Sequence, residues 1–414
     1  MRQSFRYYSA RIKKAFRVLR NISGIMEAPS SAHFDALKRR ITDAFPPQNS
    51  QQRILLVTSN GAGLGHLTRL NAVAQHLDGD VLIYTMSSAY KTIARDPRKI
   101  IYFPSYGDLG MSGQIWNRFM QAHLEATIES FAPDLVVFDG TYVYRGVSSS
   151  CRKAEVPLVW LQRGAWKQEV DSRSKQRHNA HLYCDYVVVP RDHGFVEEVD
   201  CGPDIDVMYV DPVVLGEESD LLPAEEAREI LEIPKGKKAV LIQLGAGRIN
   251  SIQSALEEAI TAVQSLGDSW LPVVVRNPLS EDGGAKDIHS ISYYPLSRVY
   301  RAFEFGVFAA GYNSVQESVE FGLPGVFVPN EFTKTDDQVA RASKLASAGL
   351  GLCARDSAEL REQIVDMADP ERRQNIAIKM AAASGTNGAK QAAELFSSLA
   401  SQRIAKTSGE KGNA

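Results

Sequence analysis

The sequence predicts an α/β protein of two doubly wound, Rossmann-like domains facing a cleft, with a helical extension at the N-terminus. Three observations carry that expectation. The runs from Ile54 to Thr58 and from Lys237 to Leu244 are continuously apolar over most of their length, as parallel strands buried on both faces require. Each is followed by a glycine turn and then a helical pattern, so the same strand, turn and helix occurs once in each half. A chain of 414 residues also exceeds what one hydrophobic core supports. The spacing divides it into an extension over 1–50, a first domain over 51–213, a second over 214–402 and a disordered tail over 403–414.

Composition narrows the classes. Hydrophobic residues make up 44% and charged residues 23%, ordinary for a globular protein, and a net charge of -2 argues against nucleic acid as a partner. Cys151, Cys184, Cys201 and Cys353 are far apart and lack metal-ligand spacing, so free thiols in a reducing, cytoplasmic compartment are expected. No uncharged apolar stretch approaches the ~18 residues of a spanning helix, and no signal-peptide core follows the N-terminal basic residues.

In the extension, Arg2, Arg6, Arg11, Lys13, Lys14, Arg17 and Arg20 precede the first acidic residue, Glu27, while Phe5, Tyr8, Ile12, Phe16 and Leu19 recur at helical steps. A helix over 1–22 would therefore be basic on one face and apolar on the other. An anionic membrane surface, a docking site on the protein itself and a basic arm without fixed structure all suit it. A second helix is expected from Ala32 to Phe45, ended by Pro46 and Pro47.

In the first domain, the strand ending at Thr58 leads into Gly61, Gly63 and Gly65, then His66 and a helix from Leu67 to about Leu77. The glycines do not have the dinucleotide spacing, and no acidic ribose partner follows the next strand, which argues against a nicotinamide cofactor. Further strands are expected at Val81–Thr85, Ile100–Phe103, Ala132–Asp139, Val156–Leu161 and Tyr186–Val189. Asp139 ends its strand, at the sheet edge where ligands bind, so it and His66 should converge on one crevice. Such a carboxylate would fix the tautomer of the imidazole. A structural histidine and a carboxylate capping the turn at Thr141-Tyr142 are the competing readings.

The chain should cross to the second domain near Asp211–Asp220. An acidic helix over Leu221–Leu231 precedes the strand from Lys237, whose glycine turn, Gly245-Ala-Gly247-Arg248, suits either a diphosphate contact or bare helix packing. After a strand at Leu271–Arg276, the apolar run Gly306–Ala310 ends at Gly311. Asn313 or Ser314 would cap a short helix from Val315 to Phe321, whose positive end offers an anion site without a metal. Glu317, one turn further in, could accept two sugar hydroxyls. A strand over Pro324–Pro329 and a loop with Asp336, Asp337 and Gln338 complete one ligand-sized unit, and Asp369–Gln402 reads as helical, a stretch that could cross back to the first domain.

Gly311-Tyr-Asn-Ser, Glu317-Ser318, Gly322-Leu-Pro324, Pro329 and Asp337-Gln338 together resemble the donor signature of nucleotide-sugar-dependent glycosyltransferases of the GT-B fold. The closest patterns are those of the plant secondary-product enzymes and of family 28. The chain departs from the plant pattern in having Ala309 where a phosphate-binding histidine stands, and Arg69 in place of a proline. The resemblance implies His66 as the catalytic base facing the acceptor, with Asp139 behind it. It implies Gly247, Arg248, Gly311, Asn313 and Ser314 at the donor diphosphate, Glu317 at the ribose, Asp337 and Gln338 at the sugar, and Tyr293 stacked on the base. The nucleotide sugar is then a co-substrate, with no metal or other cofactor. The expected reaction is inverting transfer from a UDP-sugar to an acceptor hydroxyl, one carried by a lipid if the basic extension meets a membrane. Nucleotide-sugar hydrolases, 2-epimerases and non-catalytic sugar-nucleotide binders share the architecture.

Overall fold

The computed structural model describes residues 31–46, 52–59, 65–93, 96–195, 198–245, 250–276 and 288–411. The basic stretch over 1–22, and Gly247 with Arg248, lie outside the described residues.

Strands β1 (Arg53–Thr58), β2 (Asp80–Thr85), β3 (Ile100–Tyr102), β4 (Leu135–Asp139), β5 (Leu158–Leu161), β6 (Tyr186–Pro190) and β7 (Val207–Val210) form a parallel sheet in the order β3-β2-β1-β4-β5-β6-β7. Every residue of β4 and β5 is buried, which accounts for their unbroken apolar sequences. Helix α1 (Ser31–Ala44) sets Leu37, Ile41 and Phe45 into the core of this domain, and Arg40 Nη2 donates to Ile100 O at 2.7 Å. The extension is thus docked from Ser31 onward. Helices α2 (Gly65–Ala74) and α3 (Gly113–Phe131) pack on the sheet from the first domain's own sequence.

The second sheet holds β8 (Lys238–Gln243), β9 (Trp270–Val275), β10 (Ser290–Ile291), β11 (Phe305–Ala309), β12 (Gly325–Val328) and β13 (Leu352–Cys353), all parallel, in the order β10-β9-β8-β11-β12-β13. Besides a short helix at Ala224–Ile230, its helices include α4 (Asn250–Ser265), α5 (Tyr312–Glu320), α6 (Gln338–Ser347), α7 (Ser357–Met367) and α8 (Pro370–Ala383). Both sheets are doubly wound, as the repeated strand, turn and helix implies. At the end of β8, Gly245 takes φ +84°, a left-handed conformation that suits glycine.

Four expectations need correction. Edge strands β7, β10 and β13 are unforeseen, since four or two residues leave no readable period. Helix α5 starts at Tyr312 and is capped by Gly311, with no side-chain cap bond, so Asn313 and Ser314 fall inside its first turn. The second domain does not extend to residue 402. After α8 the chain returns, and α9 (Gly388–Lys411) lays Ala389, Ala392, Ala393, Phe396 and Ala400 against Ile54, Leu56, Val137 and Val188 of the first sheet. Burying Phe396 alone is worth about 2–3 kcal/mol. A Cβ on Gly388 would lie 1.8 Å from Asp211 O, so the return passes directly over the outgoing crossing. The expected tail is also helical as far as Lys411, because a helix already nucleated on the sheet needs only propagation through the polar residues that follow.

Candidate active site

The C-terminal edge of β1 delivers the chain into α2, whose second residue is His66. The adjacent strand β4 ends at Asp139, wholly buried, and Ser59 N donates to Asp139 O at 2.8 Å. His66 Nδ1 lies 2.7 Å from Asp139 Oδ1, with its ring 18% exposed. The competing reading of Asp139 as a turn cap is thereby replaced. Arg69, one helical turn along the same face, donates from Nε to Asp139 Oδ2 at 2.8 Å and from Nη2 to Oδ1 at 2.5 Å.

Burial pushes the Asp139 carboxyl up, but the Arg69 guanidinium and His66 outweigh it and hold its pKa below the usual value. An ionised Asp139 accepts from Nδ1–H and leaves Nε2 as the free lone pair. For His66, burial lowers the pKa, Asp139 acts against it, and the charges of Arg163 and Arg69 add to the lowering. The ring is neutral at neutral pH, the form a general base needs.

The second domain brings α5 against this pair. The Tyr312 ring centroid is 5.1 Å from the Arg69 guanidinium carbon, and its hydroxyl donates to Arg191 O and accepts from Val213 N, both at 3.0 Å. Asn313 Nδ2 donates to Gly65 O at 3.2 Å, joining the donor motif to the residue before His66. The first intrahelical bond of α5 runs from Val315 N to Gly311 O, so the N–H groups of Tyr312, Asn313 and Ser314 have no intrahelical acceptor. Glu317 is partly buried, and its carboxylate has no hydrogen-bond partner among the described residues. Burial pushes its carboxyl up to about 8.

A clasp closes the neighbouring part of the cleft. Trp166 and Asp336 form an antiparallel bridge across the domains, flanked by Lys167 N to Thr335 O at 2.8 Å and Asp337 N to Ala165 O at 3.2 Å. Beneath it, fully buried Arg341 donates to Asp192 Oδ2 at 2.5 Å, Asp336 Oδ1 at 2.9 Å and Ala310 O at 3.1 Å. Arg163 Nη1 stands 3.4 Å from the same Asp336 oxygen. Burial acts to raise Asp336, yet Arg341 and Arg163 hold it at about 2.

Across the domain cleft, His66 and Asp139 thus meet the start of α5 through Asn313, with Gly311 and Ser314 beside it and Glu317 one turn further along the helix. Asp337 and Gln338 have their side chains spent on the loop. Asp337 caps α6 through Ala340 N at 2.9 Å, while Gln338 accepts from Asn330 N at 3.0 Å and donates to Asp336 at 3.2 Å. Tyr293 is partly buried and packs on the second core. The sequence reading missed Arg163 and Arg341, and saw Arg69 only as a departure from the plant pattern; its position three residues after His66 was the available signal.

A profile described as the glycosyltransferase family 28 C-terminal domain matches residues 241–396. No curated protein matches. Among solved structures, spinosyn forosaminyltransferase SpnP superposes with a TM-score of 0.60 at 15% identity, covering 85% of this chain and 100% of that one. Phytolacca americana UGT2, complexed with UDP-2fluoro-glucose and pterostilbene, gives 0.59 at 14% identity over 86% and 100%. Acinetobacter baumannii MurG gives 0.57 at 15% identity over 84% and 99%. The fold is GT-B, and together with the family 28 match it bears out the resemblance to GT-B nucleotide-sugar glycosyltransferases.

Proposed function

We propose that this protein is an inverting, metal-independent glycosyltransferase that moves a sugar from a nucleotide sugar, a UDP-sugar in our reading, to an acceptor hydroxyl. The observation that carries the reading is the meeting of His66, paired with the buried Asp139, and the N-terminus of α5 through the Asn313 to Gly65 contact. His66 Nε2 takes the proton of the acceptor hydroxyl as its oxygen bonds to the anomeric carbon. The bond from that carbon to the phosphate oxygen breaks, and the diphosphate leaves with the electron pair. Attack opposite the leaving group inverts the centre. The N–H groups and dipole of α5, with Gly311, Asn313 and Ser314, receive the developing charge where a metal would otherwise serve. Gly247 and Arg248 are assigned to the same diphosphate on the resemblance alone. Glu317, whose carboxylate has no hydrogen-bond partner among the described residues, would take the ribose hydroxyls and Tyr293 the base; Asp337 and Gln338 are assigned to the sugar on the resemblance alone, since both side chains are engaged in the loop. Structures of UGT2 with UDP-2fluoro-glucose and of spinosyn rhamnosyltransferase SpnG with thymidine diphosphate support a nucleotide-sugar donor.

The acceptor is proposed to be lipid-linked and reached at an anionic, cytoplasmic membrane face, because the sequence over 1–22 is basic and of amphipathic spacing and precedes the docked α1 in the chain. Among the described residues no helix is long and apolar enough to cross a membrane. Incubation with several nucleotide sugars, with and without lipid extract, tests the reading. Glycoside formed only with extract supports it; free sugar or an epimer as sole product would replace transfer with hydrolysis or epimerisation.

A further inference from the structure

Arg163 follows β5 at the first sheet's C-terminal edge, and its position is unusual for a guanidinium. The side chain is only 19% exposed, yet no hydrogen bond is made by it among the described residues. Its nearest carboxylate, Asp336, is 3.4 Å away and already accepts a 2.9 Å bond from Arg341. Its five N–H donors therefore have few protein acceptors, and a bidentate oxyanion would satisfy two of them.

Its neighbours fix where such an anion would sit. On one side is Asp336, whose bridge to Trp166 joins the domains next to the expected sugar residues. On the other is the His66–Asp139 pair: Asp139 is in register with Leu161, two residues before Arg163, and the charge of Arg163 acts to lower the basicity of His66. We propose that Arg163 binds an oxyanion, carboxylate or phosphate, that the acceptor carries close to its nucleophilic hydroxyl. This rests on the transferase reading but adds a chemical class to the acceptor. The acceptor is assigned rather than the donor because Arg163 stands on the same sheet edge as the base, whereas the diphosphate site belongs to α5.

A consequence follows for the base. The groups facing His66 are Asp139 from β4, Arg69 from α2 with Tyr312 of α5 behind it, and Arg163. An anion on Arg163 neutralises one of the two cations that lower the basicity of His66, so the base strengthens as the acceptor is seated.

Inorganic phosphate is the probe, and the His66 ring resonances of the full chain, followed against pH, are the readout. UDP binding is measured first, by calorimetry, and tests the transferase reading on its own. With UDP saturating, phosphate should raise the His66 pKa. Arg163→Gln should raise it without phosphate, and weaken phosphate about tenfold or more, the loss of one charge-assisted contact. Arg163→Lys should restore part of the phosphate response. UDP affinity should stay within about twofold in Arg163→Gln, well under the tenfold that 1.4 kcal/mol represents. Suppression of the phosphate response by UDP, or a tenfold loss of UDP affinity, would give the residue to the donor diphosphate and overturn the proposal. So would a preference of the wild type for UDP-glucuronate over UDP-glucose that Arg163→Gln abolishes, which would place the anion on the transferred sugar. An unchanged phosphate response in Arg163→Gln would overturn it outright.

Discussion

Arg69 holds the buried Asp139 carboxylate by two hydrogen bonds, 2.8 and 2.5 Å, while His66 shares that carboxylate at 2.7 Å. The carboxylate is divided between a permanent cation and the imidazole, which leaves His66 a weaker base than a histidine with an aspartate to itself. The division also ties chemistry to donor binding, because the other face of Arg69 rests on Tyr312 at the start of α5.

Replacing Arg69 with Gln should therefore raise the pKa of His66, moving the rising limb of the kcat/KM profile to higher pH. Removing one partner of a buried pair should also cost roughly 3–5 kcal/mol of stability, measured by denaturant unfolding. A stable variant with an unmoved pH limb would show that Arg69 does not tune the base.

Glu317 gives a pH signature of opposite origin. Its folded-state pKa is raised from 4.5 to about 8 by burial, so the folded protein holds this proton more tightly than the unfolded chain. Its favourable contribution is complete below about pH 4.5 and is lost as pH rises toward 8. Glu317→Gln should abolish that decline in unfolding experiments between these limits. Glu317→Ala should weaken nucleotide-sugar binding by about 1–3 kcal/mol in calorimetry, the scale of leaving buried polar partners unsatisfied. Unchanged affinity would remove the ribose role.

Asp336 behaves in the reverse sense. With its carboxyl held down from 3.8 to about 2, its contribution is fully present above the unfolded value and is lost as pH falls through about 2. That shift corresponds to roughly 2 kcal/mol. Asp336→Asn should flatten this part of the acid limb, and its stability at pH 7 should fall because Arg341 loses one of its two buried carboxylates. An acid limb identical to the wild type would mean that the clasp does not set it.

The membrane reading concerns residues 1–22, which precede the docked helix α1 (Ser31–Ala44) in the chain. Sedimentation with anionic vesicles should retain the full chain and release one beginning at Ser31. Equal binding by both would make residues 1–30 irrelevant to it.

Which parts were legible in the sequence follows from how far apart the interacting residues lie. The β1 turn, Asp139 at a strand end and Glu317 inside a helix each leave a local mark: a glycine run, an apolar stretch ended by a charge, a periodic spacing. Arg341 and Asp192 are 149 residues apart, and nothing near either shows that they meet. The face of α9, with Ala389, Ala392, Ala393 and Phe396, is periodic in the sequence, but periodicity does not say which domain it covers. The cap of α5 was misplaced for a related reason: Asn313 has the chemistry of a cap, and a residue of the other domain, Gly65, takes its side chain instead.

Turnover by His66→Ala, with donor affinity measured on the same protein, tests the assignment of the base most directly. The geometry predicts a fall in kcat of roughly two to four orders of magnitude, the range for one positioned base. Nucleotide-sugar affinity should hardly change, and the rising limb, set below the usual histidine value in the wild type, should disappear. Full transferase activity in His66→Ala, with the limb intact, would contradict it and leave His66 a structural member of its loop.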